Sequence, residues 1–427
     1  MIRLVYNLLW PIGLLVFLPG YLIKMFRRGG YRKKFGQRLG IYDAALVQTL
    51  AKQRPTWLHA VSVGEVAIAL KLARELRKIE TDLLCVLTTT TTTGFSFAEQ
   101  NAPPWIEVMY MPLDFWPIMR RAFTVVRPAR IVLVEAEIWP NLVAHARALR
   151  VPLALVNARL SPRSQKRFQR FRRFVAPMFQ KLDLITVPDS RDVERWIALG
   201  VEKARIRHTG SIKYDPADFL SGARESTPRI FDAGIPVLFG GSTHRGEEEA
   251  LGQAFVRLRP AFPSLRLFIA PRHVERVREI RKRLEDLGLK VKFVSEITAD
   301  RSRPPDCVLL DKTGELQLWY GIATVAFVGK SLTAHGGQNP VEPIVAGVPV
   351  LFGPHMENFA KLAKALVERK GAVQVTDAEA LEHAVRILLP DEPARRTLVL
   401  NAEQVLSEHR GATERTAQLV CALSERA

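Results

Sequence analysis

Short apolar runs alternate with segments of helical period along most of the chain. From Trp57 onwards the runs WLHAVS, LLCVLTT, IEVMYMPL, RIVLVEAE, PLALVNA and LDLITVP each have the length and composition of a buried strand, and helical patterns separate most of them. A second series follows from Ile235, with PVLFGGS, LRLFIAP, VKFVSE, CVLLD, TVAFVGKS and PVLFGP before helices to the end. This alternation predicts two α/β units with parallel, doubly wound sheets and a cleft between them.

The length of the chain and one aperiodic stretch set the predicted domain boundaries. With 427 residues the chain is too long for one typical core. Periodicity is lost from Asp215 to Pro228. We therefore predict an amino-terminal unit over residues 31–215, a linker over 216–228 and a carboxyl-terminal unit over 229–427.

The first 30 residues differ from the rest. Leu4 to Ile23 is a run of 20 residues without a charged side chain, long enough to cross a bilayer as a helix. Prolines and glycines interrupt it, so a re-entrant or interfacial anchor is the alternative. A basic segment from Lys24 to Arg38 follows, and the positive-inside rule places that side in the cytoplasm. Residues 1–30 are thus predicted to anchor a cytoplasmic body to the inner membrane.

The net charge indicates the class of partner, and the cysteine spacing bears on disulfides and zinc sites. The net charge of +19 favours an anionic partner, which is a nucleic acid, a membrane surface or a phosphorylated substrate. The three cysteines, Cys85, Cys307 and Cys421, are scattered, so their spacing indicates neither a disulfide framework nor a zinc site.

A carboxylate lies where the first predicted strand passes into a helix. Ser62 and Glu65 have the S-x-x-E spacing of a capping box, in which the two residues close the helix end reciprocally. Ligands of open α/β sheets bind outside the carboxyl ends of strands, so Glu65 is also a candidate general base. The residues alone favour the cap.

Two glycine-rich turns and a basic loop are weaker candidates for phosphate binding. Gly240 to Thr243 and Gly329 to Ser331 end predicted strands, but neither matches a dinucleotide or Walker fingerprint. The loop Pro271-Arg272-His273 ends the run LRLFIA, and an arginine there suits bidentate contact with a phosphate. A solvated turn explains this loop equally well.

The densest group of turn residues is Ala334 to Phe359, AHGGQNPVEPIVAGVPVLFGPHMENF. Prolines, glycines, histidines and Glu342 crowd around one short strand, which is more rigid polar loop than a connection needs. We interpret the segment as a ligand cradle in which Glu342 accepts hydrogen bonds from sugar hydroxyls. The alternative makes Glu342 a helix cap.

A basic and aromatic segment is predicted as one helix through the 160s and 170s. Its basic residues alternate with phenylalanines: Arg163, Lys166, Arg167, Arg170, Arg172 and Arg173 with Phe168, Phe171 and Phe174. Lipid headgroups and acceptor phosphates suit this pattern, and so does single-stranded nucleic acid. A solvated face over core phenylalanines is the third interpretation.

The assembled motifs resemble those of the bacterial 3-deoxy-D-manno-octulosonic acid (Kdo) transferases. They match in order along nearly the whole chain: YRKKFGQRLG (31–40), HAVSVGE (59–65), EAEIWPN (135–141), NARLS (157–161), GSIKYD (210–215), GGSTHRGEEE (240–249), PRH (271–273), TGEL (313–316), VGKSL (328–332) and the 336–359 loop.

The resemblance implies a GT-B fold of two Rossmann-like domains and a reaction at the cytoplasmic face of the inner membrane. Kdo passes from CMP-Kdo to the phosphorylated lipid A precursor (lipid IVA) with inversion, in lipopolysaccharide biosynthesis, without metal or cofactor. It assigns the general base to Glu65 and supporting roles to Glu135 and Lys213. The CMP contacts it implies are Pro271, Arg272, Thr313, Gly314, Glu315, Asn339, Pro340, Val341 and Glu342.

The chain departs from the family pattern near the expected donor site, where Lys330 and Gln338 replace a glycine and a histidine. The role of these two residues, the number of Kdo residues added, the acyl pattern and the oligomeric state stay open. Two alternatives are another GT-B enzyme that uses a UDP-sugar, as a transferase or an epimerase, and a membrane-tethered nucleic-acid-binding protein. The anchor makes an anionic leaflet the better partner than nucleic acid.

Overall fold

The computed structural model describes residues 6–10, 13, 15, 20, 34–51, 53–160, 162–216, 230–232, 234–297 and 305–424. The chain forms two compact units, one of Met1–Asp215 with Gly411–Ala427 and one of Pro216–Arg410. Both are α/β, as the alternating pattern predicts. The predicted linker, 216–228, lies outside the described residues except for Pro216.

The first unit contains a sheet of seven parallel strands in the order β3-β2-β1-β4-β5-β6-β7. Its strands are β1 Thr56–His59, β2 Cys85–Thr89, β3 Ile106–Tyr110, β4 Arg130–Val134, β5 Leu153–Val156, β6 Leu184–Val187 and β7 Ile206–His208. Nearly every residue of β1 to β6 is buried, because helices cover both faces of a parallel sheet. The first six strands are those predicted from the apolar runs.

Helices of the first unit pack two hydrophobic cores against the two faces of this sheet. They are α1 Ala44–Ala51, α2 Val63–Ile79, α3 Thr92–Asn101, α4 Trp116–Val126, α5 Pro140–Ala148, α6 Pro162–Arg170, α7 Arg172–Phe179 and α8 Ser190–Ala198. The single helix predicted through the 160s and 170s is wrong in one respect, since Phe171 interrupts it and separates α6 from α7.

The second unit repeats this plan with strands in the order β10-β11-β9-β8-β12-β13-β14, all parallel. These strands are β8 Val237–Thr243, β9 Arg266–Pro271, β10 Val291–Phe293, β11 Cys307–Leu309, β12 Val325–Val328, β13 Val350–Phe352 and β14 Ala372–Gln374. Its helices are α9 Glu247–Leu258, α10 Val277–Asp286, α11 Leu316–Trp319, α12 Val341–Val345, α13 Ala360–Glu368, α14 Ala378–Leu388 and α15 Glu392–Ser407.

Two local expectations in the second unit are wrong. Gly240 to Thr243 is not a turn, because β8 continues to Thr243 with a register shift between Gly241 and Thr243. The edge strand β14 was not expected, since only three residues pair there and helical patterns surround them.

The last helix, α16 Ala412–Ser424, belongs to the first unit, so the predicted second domain of 229–427 is too long. Its Ala417 and Val420 are buried in the core that contains α2. Asp215 ends the first part of this unit and accepts hydrogen bonds from the backbone N–H of Gly411 (3.0 Å) and of Thr413 (2.8 Å). The helical period continues from α15 into α16, which is why the sequence gives no sign of this return.

The predicted anchor, residues 1–30, lies almost entirely outside the described residues. Among the residues that are described, no helix has the length and apolar character to cross a bilayer. The anchor stays a prediction.

Candidate active site

The carboxyl ends of β1 and β4 mark the point where the strand order of the first sheet reverses. The two strands are neighbours, and the chain leads outward from them in opposite directions. Such a switch point opens a crevice for ligands in α/β proteins. Glu65 follows β1 in the first turn of α2, and Glu135 follows β4 directly. The sheet therefore brings both predicted residues to one edge.

Ser62 caps the start of α2 as the spacing predicts, but the Glu65 carboxylate returns to the Val61 N–H, one residue before the N-cap N–H that a capping box uses. The Ser62 hydroxyl accepts a hydrogen bond from the backbone N–H of Glu65 at 3.4 Å. One carboxylate oxygen of Glu65 accepts from the Val61 N–H at 2.8 Å, and the other accepts from the Ser62 hydroxyl at 2.9 Å. The side chain is thus fixed before any substrate binds, and its capping role does not conflict with a role as a base.

Three carboxylates influence one another at this edge. Burial raises the pKa of Glu65, hydrogen bonds from Val61 and Ser62 lower it, and the charge of Glu135 raises it. Burial and the charges of Glu65 and Glu135 raise the pKa of Glu137 to about 7. Perturbed titrations of this kind concentrate at functional sites. Glu137 is a member of the cluster that the resemblance does not single out.

The backbone after β4 and β5 turns sharply. Glu135 has φ 64° and Asn157 has φ 52°, in the left-handed region that residues other than glycine seldom adopt. The Glu135 N–H donates to the Val156 carbonyl at 2.9 Å, which ties the two turns together. Conformations of this type persist where the surrounding structure imposes them, and they collect at active sites.

Asn157 connects its turn to the segment that contains Lys213. Its side-chain oxygen accepts from the Ser211 hydroxyl at 3.4 Å and from the Ile212 N–H at 3.3 Å. Lys213 lies in the 3-10 turn Ile212–Tyr214 and is half-buried. Burial and the positive charge of Arg159 lower the pKa of Lys213 to about 8, while Glu135 acts in the opposite direction.

Arg159 is a site residue that the sequence analysis missed. Its guanidinium lies 5.1 Å from the centre of the Tyr214 ring and donates to the Ser211 hydroxyl at 3.2 Å. Its Nε is buried and meets no acceptor among the described residues. Arginine binds carboxylate and phosphate oxygens well because its planar guanidinium offers several donors in a fixed arrangement. The motif NARLS contained this signal, but only the fold brings it beside Lys213.

The second sheet has its own switch point, between β8 and β12. The two strands approach closely, since a Cβ on Gly329, directly after β12, would come within 2.3 Å of the Ser242 carbonyl oxygen. A Cβ on Gly241 would come within 2.3 Å of the hydroxyl of Tyr320, which lies outside both strands. Glycine is required at both positions for this reason. The donor-binding residues that the resemblance implies lie at the end of β9 and in the segments after β9, β11 and β12.

Glu247 organises the loop after β12. Its buried carboxylate accepts hydrogen bonds from the backbone N–H groups of Lys330 (2.7 Å), Ser331 (2.9 Å), Leu332 (3.0 Å) and His244 (2.8 Å). Glu247 lies at the start of α9, where an acidic residue ordinarily compensates the helix dipole. In the fold, Glu247 instead fastens two loops at the switch point.

The surroundings of His244 are strongly positive. Burial, together with the positive charges of Lys330, His273, Arg276 and Arg272, lowers the pKa of His244 to about 4. Lys330 therefore lies within electrostatic reach of His244. Several positively charged side chains around the end of β8 are suited to a phosphorylated ligand.

Glu342 lies in the first turn of α12, where its carboxylate accepts from the Asn339 side-chain amide at 3.0 Å. Burial raises its pKa, while the Asn339 hydrogen bond and the charge of Arg272 lower it. Pro271, Pro340 and Val341 are buried in the walls around this turn. Thr313 and Gly314 follow β11 and are exposed. The Oε1 atom of Glu315 lies 3.9 Å from the Nζ atom of Lys312.

The basic segment on α6 and α7 divides into two kinds of aromatic residue. Phe168 packs against Phe179 at a centroid distance of 5.4 Å and joins the core. Phe171 and Phe174 are 49% and 56% exposed and lie among the arginines of a shallow groove. Lys166, Arg167 and Arg170 are exposed, and the side chain of Arg163 lies outside the described part of the structure.

Two comparisons with known protein sequences point to one family. A family model for 3-deoxy-D-manno-octulosonic-acid transferase (kdotransferase) matches residues 33–216. The 3-deoxy-D-manno-octulosonic acid transferase of Haemophilus influenzae is 34% identical over 400 residues, covering 93% of this chain and 92% of that protein.

Two solved structures share the fold at low identity. A glycosyltransferase from Rickettsia africae has a TM-score of 0.54 at 10% identity, over 88% of this chain and 100% of its own. A UDP-GlcNAc 2-epimerase from Neisseria meningitidis has a TM-score of 0.52 at 12% identity, over 87% of this chain and 100% of its own. The fold is thus that of GT-B enzymes. With a relative one-third identical over nearly its whole length, the chain belongs to the 3-deoxy-D-manno-octulosonic acid transferases, a family of glycosyltransferases.

Proposed function

We propose that the chain transfers Kdo from CMP-Kdo to a phosphorylated lipid A precursor, lipid IVA, at the cytoplasmic face of the inner membrane. Kdo transfer itself follows from the family. The donor, the acceptor, the base and the location are the proposal. The observation that carries it is the carboxylate cluster at the carboxyl ends of β1 and β4, with Glu65 fixed by Ser62 and Val61.

Glu65 acts as the general base. The acceptor hydroxyl oxygen attacks the anomeric carbon of Kdo, its proton passes to Glu65, and the bond from that carbon to the CMP phosphate breaks with its electron pair on the phosphate oxygen. One displacement of this kind inverts the anomeric centre. The raised pKa of Glu65 supports the role, because a carboxylate is a stronger base when its pKa is closer to the working pH.

Lys213 and Arg159 supply positive charge beside the base. The anomeric carbon of Kdo carries a carboxylate, and the acceptor carries phosphates, so the site has to bind anions next to three carboxylates of its own. Fixed cations that are already partly removed from water stabilise such charge without reorganising. The buried Nε of Arg159 and the lowered pKa of Lys213 support this assignment.

The second unit binds CMP-Kdo. Arg272 and Lys330 contact the phosphate, and Glu342 accepts hydrogen bonds from sugar hydroxyls in the turn that Asn339 holds. The positive surroundings of His244 favour an anionic nucleotide. Transfer needs no metal ion and no organic cofactor, because the charge on the leaving phosphate is met by these side chains.

Exposed groups on α6 and α7 hold the protein at the anionic leaflet, together with the predicted anchor. Phe171 and Phe174 enter the interface, while Arg167, Arg170 and Arg173 contact headgroups. Exposed phenylalanines beside arginines suit lipid and single-stranded nucleic acid alike, and the predicted anchor is what favours lipid.

Release of CMP tests the proposal. The purified full chain is incubated with CMP-Kdo and tetraacylated lipid A precursor in detergent micelles containing a chelator, and the lipid product is analysed by mass spectrometry. We expect CMP release only when both substrates are present, with a lipid product heavier by whole Kdo residues. Folded protein that releases no CMP under these conditions would contradict the proposal.

A further inference from the structure

Two histidines and a glutamate lie close together near β13. His335 comes from the segment before this strand, and His355 and Glu357 come from the segment after it. His335, His355 and Glu357 each present a ligand atom, and these atoms lie within 4.8 Å of one another. The Nδ1 atoms of His335 and His355 lie 3.0 Å and 3.5 Å from the same carboxylate oxygen of Glu357. The two imidazole rings are 4.0 Å apart between centroids.

We propose that this group, here called the His-His-Glu cluster, binds a divalent transition-metal ion of the zinc type. Two imidazole nitrogens and one carboxylate oxygen are a ligand set that Zn²⁺ uses, with a water in the fourth position. Bonds of about 2.1 Å at the tetrahedral angle place neighbouring ligand atoms about 3.4 Å apart. The two nitrogen-to-oxygen separations of 3.0 Å and 3.5 Å bracket that value.

The backbone holds the three ligands in place without a metal. The Gly336 N–H donates to the second carboxylate oxygen of Glu357 at 2.6 Å, which leaves the first oxygen facing the histidines. The His355 N–H donates to the Ser331 carbonyl at 2.9 Å, and the Asn358 N–H donates to the Gly336 carbonyl at 2.8 Å. Hydrogen bonds of this outer kind orient ligands and strengthen metal sites.

Gly336 and Gly337 make the approach possible. Both have positive φ, at 118° and 67°, and a Cβ on Gly337 would come within 2.4 Å of the Met356 sulfur. The two segments of the loop therefore lie against each other where the ligands meet. A bound ion would link the two segments through its coordinate bonds. It would thereby fix the turn that leads into Asn339 and Glu342.

An ion pair is the competing explanation, since a protonated His335 beside Glu357 accounts for the 3.0 Å contact. A single ion pair of this kind does not involve His355, whose Nδ1 lies 3.5 Å from the same oxygen and which belongs to the segment of Glu357. Direct metal binding separates the two explanations and is independent of the transfer reaction.

The test is a zinc titration of the full chain, freed of any affinity tag, after chelator treatment and dialysis. We expect one Zn²⁺ per chain by calorimetry and a rise in melting temperature on Zn²⁺ addition. Co²⁺ should give the intense visible absorption of a tetrahedral site. Loss of outer-shell contacts costs roughly 10- to 100-fold in metal affinity, so removing a ligand should cost at least that much.

His335→Ala and Glu357→Gln are the ligand variants, and His383→Ala, an exposed histidine on α14, is the control. Because the His335 side chain is 76% exposed, its removal should not unfold the protein, and circular dichroism checks this. Affinity should fall in both ligand variants and stay unchanged in the control. Absence of zinc binding, or equal binding in His335→Ala and wild type, would overturn the proposal.

Discussion

Glu65 and Glu137 lie close enough for the charge of one to act on the other, although β1 and β4 bring them from parts of the chain 72 positions apart. Together with burial, this raises the pKa of Glu137 to about 7. Close carboxylates disfavour simultaneous ionisation, so each makes ionisation of the other less favourable.

Replacing the proposed base should separate catalysis from helix capping. Glu65→Gln keeps a side-chain oxygen that can accept from the Val61 N–H, so the variant should fold with a near-normal melting temperature. Transfer should fall by roughly 10²- to 10⁴-fold, the usual contribution of a general base. CMP release and thermal unfolding measure the two effects.

The matched control is Glu202→Gln, which changes an exposed glutamate of the same unit that pairs with Arg205. It should leave both transfer and melting temperature unchanged. Retention of wild-type transfer by Glu65→Gln would return Glu65 to a purely structural role.

Glu137→Gln should change how stability depends on pH. A carboxyl group whose pKa is raised on folding stabilises the folded state fully below its unfolded pKa of 4.5, and that contribution is lost as the pH rises through about 7. The melting temperature of the variant, minus that of wild type, should therefore increase between pH 4.5 and pH 8. Differential scanning fluorimetry across this range measures it, and parallel curves would show that Glu137 titrates normally.

Lys213 should set an alkaline limit to catalysis. Its pKa is lowered to about 8, so its charge is lost as the pH rises through that value. If this charge supports the reaction, kcat/KM should decline above pH 8 in wild type. Lys213→Arg keeps a permanent charge and should lose the decline, whereas Lys213→Met should be slow at every pH. A decline that persists unchanged in Lys213→Arg would assign it to another group.

The sequence predicts the parts of the site that depend on local pattern. Ser62 and Glu65 are three positions apart at a strand-to-helix junction, so the cap follows from spacing alone. The two parallel sheets follow from the same kind of reasoning, since fully buried strands read as continuous apolar runs.

Other parts depend on contacts between distant residues, and the pattern does not encode them. Glu247 reads as a residue of a helix start, but its carboxylate binds a loop more than 80 positions away. Arg159 has the same character, because its neighbours Ser211 and Tyr214 come from a different strand-to-helix connection. Phe168 and Phe171 have similar sequence surroundings, but Phe168 packs on the core of the first unit and Phe171 is 49% exposed.

The aromatic and basic groove of α6 and α7 should bind anionic lipid. Phe171→Ser with Phe174→Ser should reduce sedimentation with phosphatidylglycerol vesicles, because both side chains are exposed and contribute apolar area to an interface. Leu400→Ser with Ile387→Ser, two exposed apolar residues of the second unit whose replacement changes no charge, is the control and should bind as wild type does. Because the predicted anchor would mask the effect, the comparison is repeated with a variant that begins at Tyr31. Equal binding by wild type and the phenylalanine variant in both forms would contradict a role in lipid binding.

Asp215→Ala should unfold the first unit more readily. The buried carboxylate accepts from Gly411 N–H, Thr413 N–H and the Thr413 hydroxyl at 3.0, 2.8 and 2.7 Å, and these bonds fix the start of α16 on the core that contains α2. Removing it leaves buried donors without an acceptor, at about 1–3 kcal/mol for such a group. Asp391→Ala, which removes an exposed helix cap on α15 of the second unit, is the control. Hydrogen exchange measured at increasing urea concentrations should show reduced protection of α2 and α16 in Asp215→Ala. Neither helix should lose protection in Asp391→Ala. Unchanged protection of α16 in Asp215→Ala would mean that apolar packing alone holds this helix on the first unit.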